Sequence, residues 1–246
     1  MTDEKLPVTD HLEELRRRII YCLIAVGAGF VICYAFSKQL FYLLSYPLAS
    51  QLPEGSTFIF TNITEAFFTY LKLAFFAGIF LASPVIIYQI WRFVAPGLYQ
   101  HEAKYAIPFV VLSTIFFVGG SLFAYYAVFP IAFTFFIGYS TDSIRMLPSL
   151  REYLSFSFKF LIAFGIVFEL PIFILFLAKM GVVTEKQLRS NRKYVILLIF
   201  IVAAILTPPD VISQVLMAVP LMILYEISIY IAKIFGRKTK ATASSD

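Results

Sequence analysis

The amino-acid sequence predicts an all-α integral membrane protein with six transmembrane helices. Of its 246 residues, 60% are hydrophobic and only 14% are charged, whereas a soluble domain carries roughly 25% charged residues. The hydrophobic residues are collected in six runs, most of them close to the roughly 20 residues that cross a bilayer core. The whole chain, residues 1–246, is therefore predicted to be a single membrane domain.

The six apolar runs are interpreted as membrane spans in chain order. They cover residues 19–36, 70–90, 106–129, 156–178, 194–206 and 211–232. The fifth run has only about 13 residues, which is too short to cross the core alone. Thr207-Pro208-Pro209-Asp210 joins it directly to the sixth run. These two runs are predicted to form a short hairpin. Either polar groups enter the membrane at its outer tip, or the bilayer thins locally beside it.

The distribution of Lys and Arg predicts that both chain ends face the cytoplasm. Cytoplasmic loops carry an excess of these residues. With the N-terminus inside, 15 of the 20 lie in inside segments, whereas the outside segments hold Lys38, Arg145 and Arg151. The remaining two, Lys72 and Lys159, lie near the outside ends of their spans, where long basic side chains can reach the interface. The outer loops are predicted to form interfacial helices that cap the bundle.

Signatures of catalysis and of metal binding are absent from the sequence. His11 and His101 are the only histidines, too few for a metal cluster. Cys22 and Cys33 lie about 16 Å apart on a continuous helix, beyond disulfide reach. Neither a nucleophile elbow nor a phosphate-binding loop is present. The sequence therefore predicts no enzyme, no metal and no cofactor, and the scattered basic residues leave no domain for nucleic acid.

Glu169 is a charged residue near the middle of the fourth apolar run. A charge at a span centre costs roughly 2.5–3.5 kcal/mol on insertion scales. Pro171 follows two residues later and frees a backbone carbonyl that needs another partner. Glu169 must therefore face the bundle interior or a wet cavity. It either makes a helix-packing hydrogen bond or serves a substrate path or a proton response.

The inside loop after the second run combines aromatic and acidic residues. Phe93 belongs to an aromatic group typical of a membrane interface, and Pro96-Gly97 separates two helices. Glu102 lies in the first turns of the next helix, while Glu13 and Glu14 precede the first run. These carboxylates form an acidic surface on an otherwise basic face, which suits a cationic peptide.

Five motifs, in order along essentially the whole chain, resemble the TatC family. They are His11-Leu12-Glu13-Glu14-Leu15-Arg16-x-Arg18; Ser83-Pro84-Val85-Ile86-Ile87-Tyr88-Gln89-x-Trp91-x-Phe93-x-x-Pro96-Gly97-Leu98-Tyr99-x-x-Glu102; Phe164-Gly165-x-x-Phe168-Glu169-x-Pro171; Thr207-Pro208-Pro209-Asp210-x-x-Ser213-Gln214; and Tyr225-Glu226-x-Ser228. The segment Thr61-Asn62-Ile63-Thr64-Glu65 departs from the pattern, because many relatives carry a proline there.

The resemblance implies a receptor subunit of the twin-arginine protein translocase in the bacterial cytoplasmic (inner) membrane. Proteins of this family bind twin-arginine signal peptides of folded cargo at the cytoplasmic face and use the protonmotive force. They work with the single-span partners TatA and TatB and self-associate in a larger complex. By these motifs, the resemblance implies signal-peptide binding for Glu14, Phe93 and Glu102, and a position on the concave face of the bundle for Glu169. It implies partner docking for Thr207 and Gln214, and outer-loop assembly for Pro47 and Asp210.

Two other classes of protein stay open from the residues alone. A proton-coupled secondary transporter would use Glu169 as its proton site, but it predicts repeat symmetry between the chain halves, which is not visible. A purely structural membrane scaffold predicts no signal-peptide crosslink at the inner loop.

Overall fold

Helices account for nearly all of the computed structural model, which describes residues 8–53, 57–94, 106–140, 147–207 and 210–236. Within these ranges there is no β-strand, and the only β feature is an isolated bridge between Ile59 and Ser149. The all-α prediction is confirmed. This outcome suits an apolar environment, because a helix satisfies its backbone polar groups within one segment.

The helices follow the predicted runs. In chain order they are α1 (Val8–Ala35), α2 (Ser37–Ala49), α3 (Glu65–Val94), α4 (Ala106–Phe123), α5 (Phe129–Ile137), α6 (Leu150–Phe168), α7 (Leu170–Lys179), α8 (Glu185–Ser190), α9 (Arg192–Leu206) and α10 (Val211–Phe235). Among the described residues, five stretches are long and apolar enough to cross a membrane: His11–Ala35, Glu65–Val94, Ile107–Ile137, Leu150–Lys179 and Val211–Phe235. The 15-residue α9 completes the six predicted membrane helices.

The third membrane helix is longer than the sequence predicted. The predicted run ends at residue 129 and a loop was expected from Pro130, but the chain stays helical to Ile137. A π-helical turn, Ala124–Val128, joins α4 to α5, and Pro130 lies in the first turn of α5. Proline is tolerated in a first turn, where its missing N–H has no helical acceptor, so the chain stays helical past Pro130.

Helices α1 and α3 approach each other closely in the middle of the membrane. A Cβ atom built on Gly29 would lie 2.7 Å from the Gly78 carbonyl oxygen, and one built on Gly78 would lie 2.6 Å from the Phe30 nitrogen. Small residues permit such close backbone contact in membrane helices. The two helices run in opposite directions, so this crossing brings the start of α1 beside the end of α3.

Helix α2 is held to the bundle through the backbone around Pro47. Pro47 is buried and has no N–H, so the Leu43 carbonyl one turn earlier loses its helical partner. The Tyr125 hydroxyl donates a hydrogen bond to that carbonyl. The Tyr153 hydroxyl donates to the neighbouring Leu44 carbonyl. These bonds fix α2 as a cap on the third and fourth membrane helices, which agrees with the predicted interfacial cap.

The predicted hairpin is formed by α9 and α10. At its tip, the Asp210 carboxylate accepts a hydrogen bond from the Ser213 N–H at 2.7 Å and caps α10. At its other end, Arg192 pairs with Glu226 at 2.7 Å. The Tyr225 hydroxyl donates to the Leu188 carbonyl at 2.9 Å, which fixes the short α8 against α10.

Candidate functional site

The start of α1 and the end of α3 form a polar, half-buried surface at one end of the bundle. Arg18 donates from Nε to Glu14 Oε1 at 3.1 Å, and its Nη2 also bonds that oxygen. Arg18 Nη1 reaches across to α3 and donates to Gln89 Oε1 at 3.2 Å. The Arg18 side chain is only 13% exposed, whereas Glu14 is 33% exposed. A guanidinium group is therefore held between Glu14 and α3.

Phe93 lies on the same surface and is already in contact with an aromatic ring. The His11 and Phe93 rings stack with centroids 4.4 Å apart and an interplanar angle of 17°. Glu14 and Phe93 are thus brought together by the α1–α3 crossing. Glu102, the third predicted member of this site, lies outside the described residues.

The surface can accept a second guanidinium group. A carboxylate has two oxygens and about four lone-pair sites. Arg18 uses Glu14 Oε1, and Oε2 has no hydrogen-bond partner within the described part of the chain. The stacked rings beside it offer the flat face on which a guanidinium packs well. Sequence reasoning did not predict the roles of His11, Arg18 and Gln89, although the i,i+4 spacing of Glu14 and Arg18 is a recognisable signal for pairing.

Glu169 lies at the break between α6 and α7, inside the membrane. Its Oε1 atom is buried and has no hydrogen-bond partner among the described residues. The Ser113 hydroxyl of α4 lies near its carboxyl group. Ser113 is fully buried and also accepts a 2.9 Å hydrogen bond from Trp91 Nε1. A polar connection therefore runs from the inner part of α3 to Glu169.

A groove of about 1050 Å³ opens along one side of the bundle. Helices α3, α6 and α9 line it, and its deepest α6 contact is Val167, two residues before Glu169. Lys72 and Lys159 both face this groove. Their placement in one groove was not predicted from the sequence, because it depends on how α3 and α6 pack together.

The polar residues at the hairpin tip bond to the hairpin's own backbone. Thr207 Oγ1 donates to the Ala203 carbonyl at 2.9 Å, and Gln214 Nε2 donates to the Phe200 carbonyl at 3.0 Å. Thr207 is 7% exposed, whereas Gln214 is half-buried and keeps its carbonyl oxygen for another donor. These bonds tie both side chains to the backbone of α9 and leave one acceptor at the tip.

These observations define a polytopic helical membrane protein with an acidic and aromatic surface at one end and a lateral groove. The described residues hold no group of three or more His, Cys, Asp or Glu side chains that could bind a metal. Residues 10–220 match the family model described as TatC, Sec-independent protein translocase protein. The chain belongs to the TatC family.

Individual relatives agree with this assignment. The Sec-independent protein translocase protein TatC of Desulforapulum autotrophicum is 53% identical over 96% of this chain and 87% of its own length. The Escherichia coli (strain K12) protein of the same name is 40% identical over 96% of this chain and 92% of its own. A crystal structure of the twin-arginine translocase receptor TatC superimposes with a TM-score of 0.83 at 43% identity, covering 92% of this chain and all of that one.

Proposed function

We propose that this chain is the multi-spanning receptor subunit of a twin-arginine translocase in the bacterial cytoplasmic membrane. It binds the paired arginines of signal peptides on folded cargo and takes part in their export with the protonmotive force. The main support for the proposal is the Arg18 guanidinium, which is half-buried and bonded to Glu14 beside the stacked rings of His11 and Phe93. It occurs in a chain whose residues 10–220 match the family. The protein acts in transport and not as a catalyst.

Arg18 indicates how a signal-peptide arginine would be recognised. One incoming guanidinium bonds the unused Oε2 of Glu14 or replaces Arg18 on Oε1, while its plane lies against Phe93. The second arginine pairs with Glu102, the other acidic residue that the family motifs carry over to this site. A bidentate contact of this kind favours arginine over lysine, since an ammonium group cannot match the carboxylate with two parallel bonds.

The free energies of the individual contacts indicate which of them supply the affinity for the signal peptide. An exposed ion pair contributes about 0–1 kcal/mol, whereas micromolar binding needs about 8 kcal/mol. Two pairs are therefore insufficient, even when one is half-buried. The apolar stretch of the signal peptide supplies most of the affinity by packing against membrane helices, and the paired arginines supply specificity and register.

Peptide binding tests the proposed function directly. The full chain is placed in lipid nanodiscs, and a fluorescent twin-arginine signal peptide is titrated by anisotropy. We expect micromolar binding and at least a roughly tenfold loss when the arginine pair is changed to Lys-Lys. Equal binding of the two peptides would contradict the assignment of a twin-arginine receptor.

The membrane orientation is proposed to place both chain ends in the cytoplasm. Single cysteines are introduced into a variant that lacks Cys22 and Cys33. Those at Ser56 and Ser149 should react with an impermeant thiol reagent in intact cells. Those at Gln187 and Thr242 should react only after lysis. Labelling of the Thr242 position in intact cells would refute the orientation.

The hairpin tip is proposed to dock the single-span partners TatA and TatB. The Gln214 carbonyl oxygen is an unfilled acceptor at membrane depth, where lipid offers no donor. A cysteine at position 214 should crosslink to a single-span partner. Gln214→Leu should lower partner occupancy severalfold and leave signal-peptide affinity unchanged. If no crosslink forms with or without cargo, and with or without membrane energisation, docking at this tip is excluded.

Pro47 and Asp210 are proposed to act in assembly by shaping the outer surface. Pro47 directs the Leu43 carbonyl to Tyr125, and Asp210 caps α10. Both residues therefore set the positions of outer elements that a second subunit can contact. Loss of the Asp210 cap in Asp210→Ala should cost about 1 kcal/mol of helix stability, and blue-native electrophoresis would show whether complex assembly falls with it.

Glu169 is proposed to act after recognition, in the translocation step. We expect both Glu169→Gln and Glu169→Ala to bind signal peptide normally but to lose transport in energised membrane vesicles. Glu169→Ala should also be less stable, because it removes the carboxyl group near buried Ser113 and leaves a cavity there. Glu152→Gln is the matched control, since it removes a carboxylate at the outer end of α6. Full transport by Glu169→Gln would make the residue a packing group only.

A further inference from the structure

The lateral groove contains two lysines that have no partner in the described structure. Lys72 of α3 and Lys159 of α6 line the groove and are exposed to it. Neither forms a hydrogen bond or an ion pair with another described residue. A cation inside a membrane protein normally pairs with an anion or lines a polar path, so this pair requires an explanation.

Both lysines lie about two helical turns inside the outer ends of their helices. The Arg151 N–H donates to Glu65 Oε1 at 3.2 Å, which aligns the outer ends of α3 and α6. Both helices run inward from that point. At a rise of about 1.5 Å per residue, Lys72 is about 10 Å from Glu65 along α3, and Lys159 is about 12 Å from Arg151 along α6. Two ammonium groups, one on α3 and one on α6, therefore line the groove inside its mouth.

The acidic side chains of the groove lie at its mouth and do not neutralise the two lysines. Glu65 accepts hydrogen bonds from the backbone N–H groups of Thr61 at 3.0 Å and Asn62 at 3.4 Å, besides that of Arg151. Glu152 follows Arg151 directly at the outer end of α6. The groove thus carries a fixed positive site below a mouth of mixed charge.

The groove wall beside and below the lysines is apolar. Phe76 and Phe158 stack with centroids 4.2 Å apart and join α3 to α6. Ile162, Ile166 and Val202 continue the lining toward the membrane centre. The groove therefore presents two cations above a hydrophobic channel, which is the chemical pattern of a phospholipid: a phosphate followed by acyl chains.

The short α9 accounts for how a phosphate reaches this depth. Its 15 residues span about 22 Å, against a hydrocarbon core of about 30 Å. Val202 and Leu206 place α9 on the groove wall. A bilayer thins beside a span that is too short, so the outer headgroups move inward at this groove by several ångströms, toward the lysines.

We propose that the groove binds an anionic phospholipid of the outer leaflet, with its phosphate between Lys72 and Lys159 and an acyl chain along the apolar wall. Basic sites between membrane helices bind lipid headgroups in this way. The bound lipid fills the groove beside the hairpin tip and neutralises both lysines. The proposal is independent of signal-peptide recognition, which uses the opposite end of α3.

Native mass spectrometry tests this site on the full chain. The protein is released from nanodiscs that contain equal amounts of phosphatidylglycerol and phosphatidylcholine, and retained lipids are counted. The wild type should retain one phosphatidylglycerol selectively. The double variant K72Q/K159Q should bind it about thirtyfold more weakly. The control K38Q/K233Q removes the same charge outside the groove and should behave as wild type.

Two further measurements separate charge recognition from loss of fold. K72R/K159R keeps both charges and should retain the lipid. Phosphatidylglycerol should raise the Tm of the wild type and of K38Q/K233Q but not of K72Q/K159Q. Equal retention by the two glutamine variants would overturn the proposal. So would a loss of phosphatidylcholine equal to that of phosphatidylglycerol, or a failure of the arginine variant to retain lipid.

Discussion

The double variant E14Q/E102Q is expected to bind twin-arginine signal peptide about ten- to thirtyfold more weakly than wild type, from the loss of two ion pairs at the upper end of their range. Glutamine keeps the shape of each side chain and removes its charge. Glu14 is one-third exposed, so solvent screening justifies the low figure. Titration of a labelled peptide into nanodiscs measures the loss.

The control for this experiment is E152Q/E185Q, which removes two carboxylates away from the recognition surface. Glu152 lies near the start of α6 and Glu185 begins α8. This control should bind peptide as wild type does, and its melting temperature should match that of E14Q/E102Q. Unchanged affinity in E14Q/E102Q would show that charge pairing does not drive recognition.

Gly78→Ala is expected to separate α1 from α3. It should therefore disturb the proposed signal-peptide surface around Glu14 and Phe93, although Gly78 is not part of that surface. The new Cβ would lie 2.6 Å from the Phe30 nitrogen, and a backbone atom cannot move aside alone. Overpacking of this kind costs about 1–3 kcal/mol. Signal-peptide affinity should fall roughly tenfold or more, because Glu14 and Phe93 keep their positions only through this crossing. Thermal unfolding and peptide titration measure the two effects.

Two other glycines provide matched controls, for which the expected change in stability is zero or of the opposite sign. A Cβ atom at Gly27 of α1 or at Gly119 of α4 would meet nothing within 4 Å. Alanine is the better helix former by about 0.5–1 kcal/mol. Gly27→Ala and Gly119→Ala should therefore be neutral or slightly stabilising and should bind peptide normally. Destabilisation of the same size in all three variants would show that the close α1–α3 contact has no special importance.

The six membrane helices were predictable because lipid imposes a simple rule on length and hydrophobicity. The shortness of the fifth span was visible for the same reason, and the turn at Asp210 marked where the next helix begins. The third helix was misjudged at Pro130, since a π-helical turn that accommodates proline leaves no hydrophobic signature.

The contacts of the candidate site depend on tertiary structure and were only partly predictable. Local spacing suggests the Glu14–Arg18 pair, but Gln89 is 71 residues from Arg18 in sequence. Their contact follows from the approach of two glycines. The Ser113 contact of Glu169 likewise requires knowing which face of α4 meets the fourth membrane helix. Sequence reasoning therefore identified the charged residues but could not identify their partners.

Site-specific photocrosslinking at Phe93 shows whether paired arginines bind at this surface. A photoreactive phenylalanine analogue at this position, in the full chain in nanodiscs, is illuminated with a twin-arginine signal peptide or with its Lys-Lys counterpart. We expect a crosslink to the twin-arginine peptide that disappears with Lys-Lys and is strongly reduced in E14Q/E102Q. Equal crosslinking of both peptides, or a crosslink that survives in E14Q/E102Q, would contradict recognition of paired arginines at this surface.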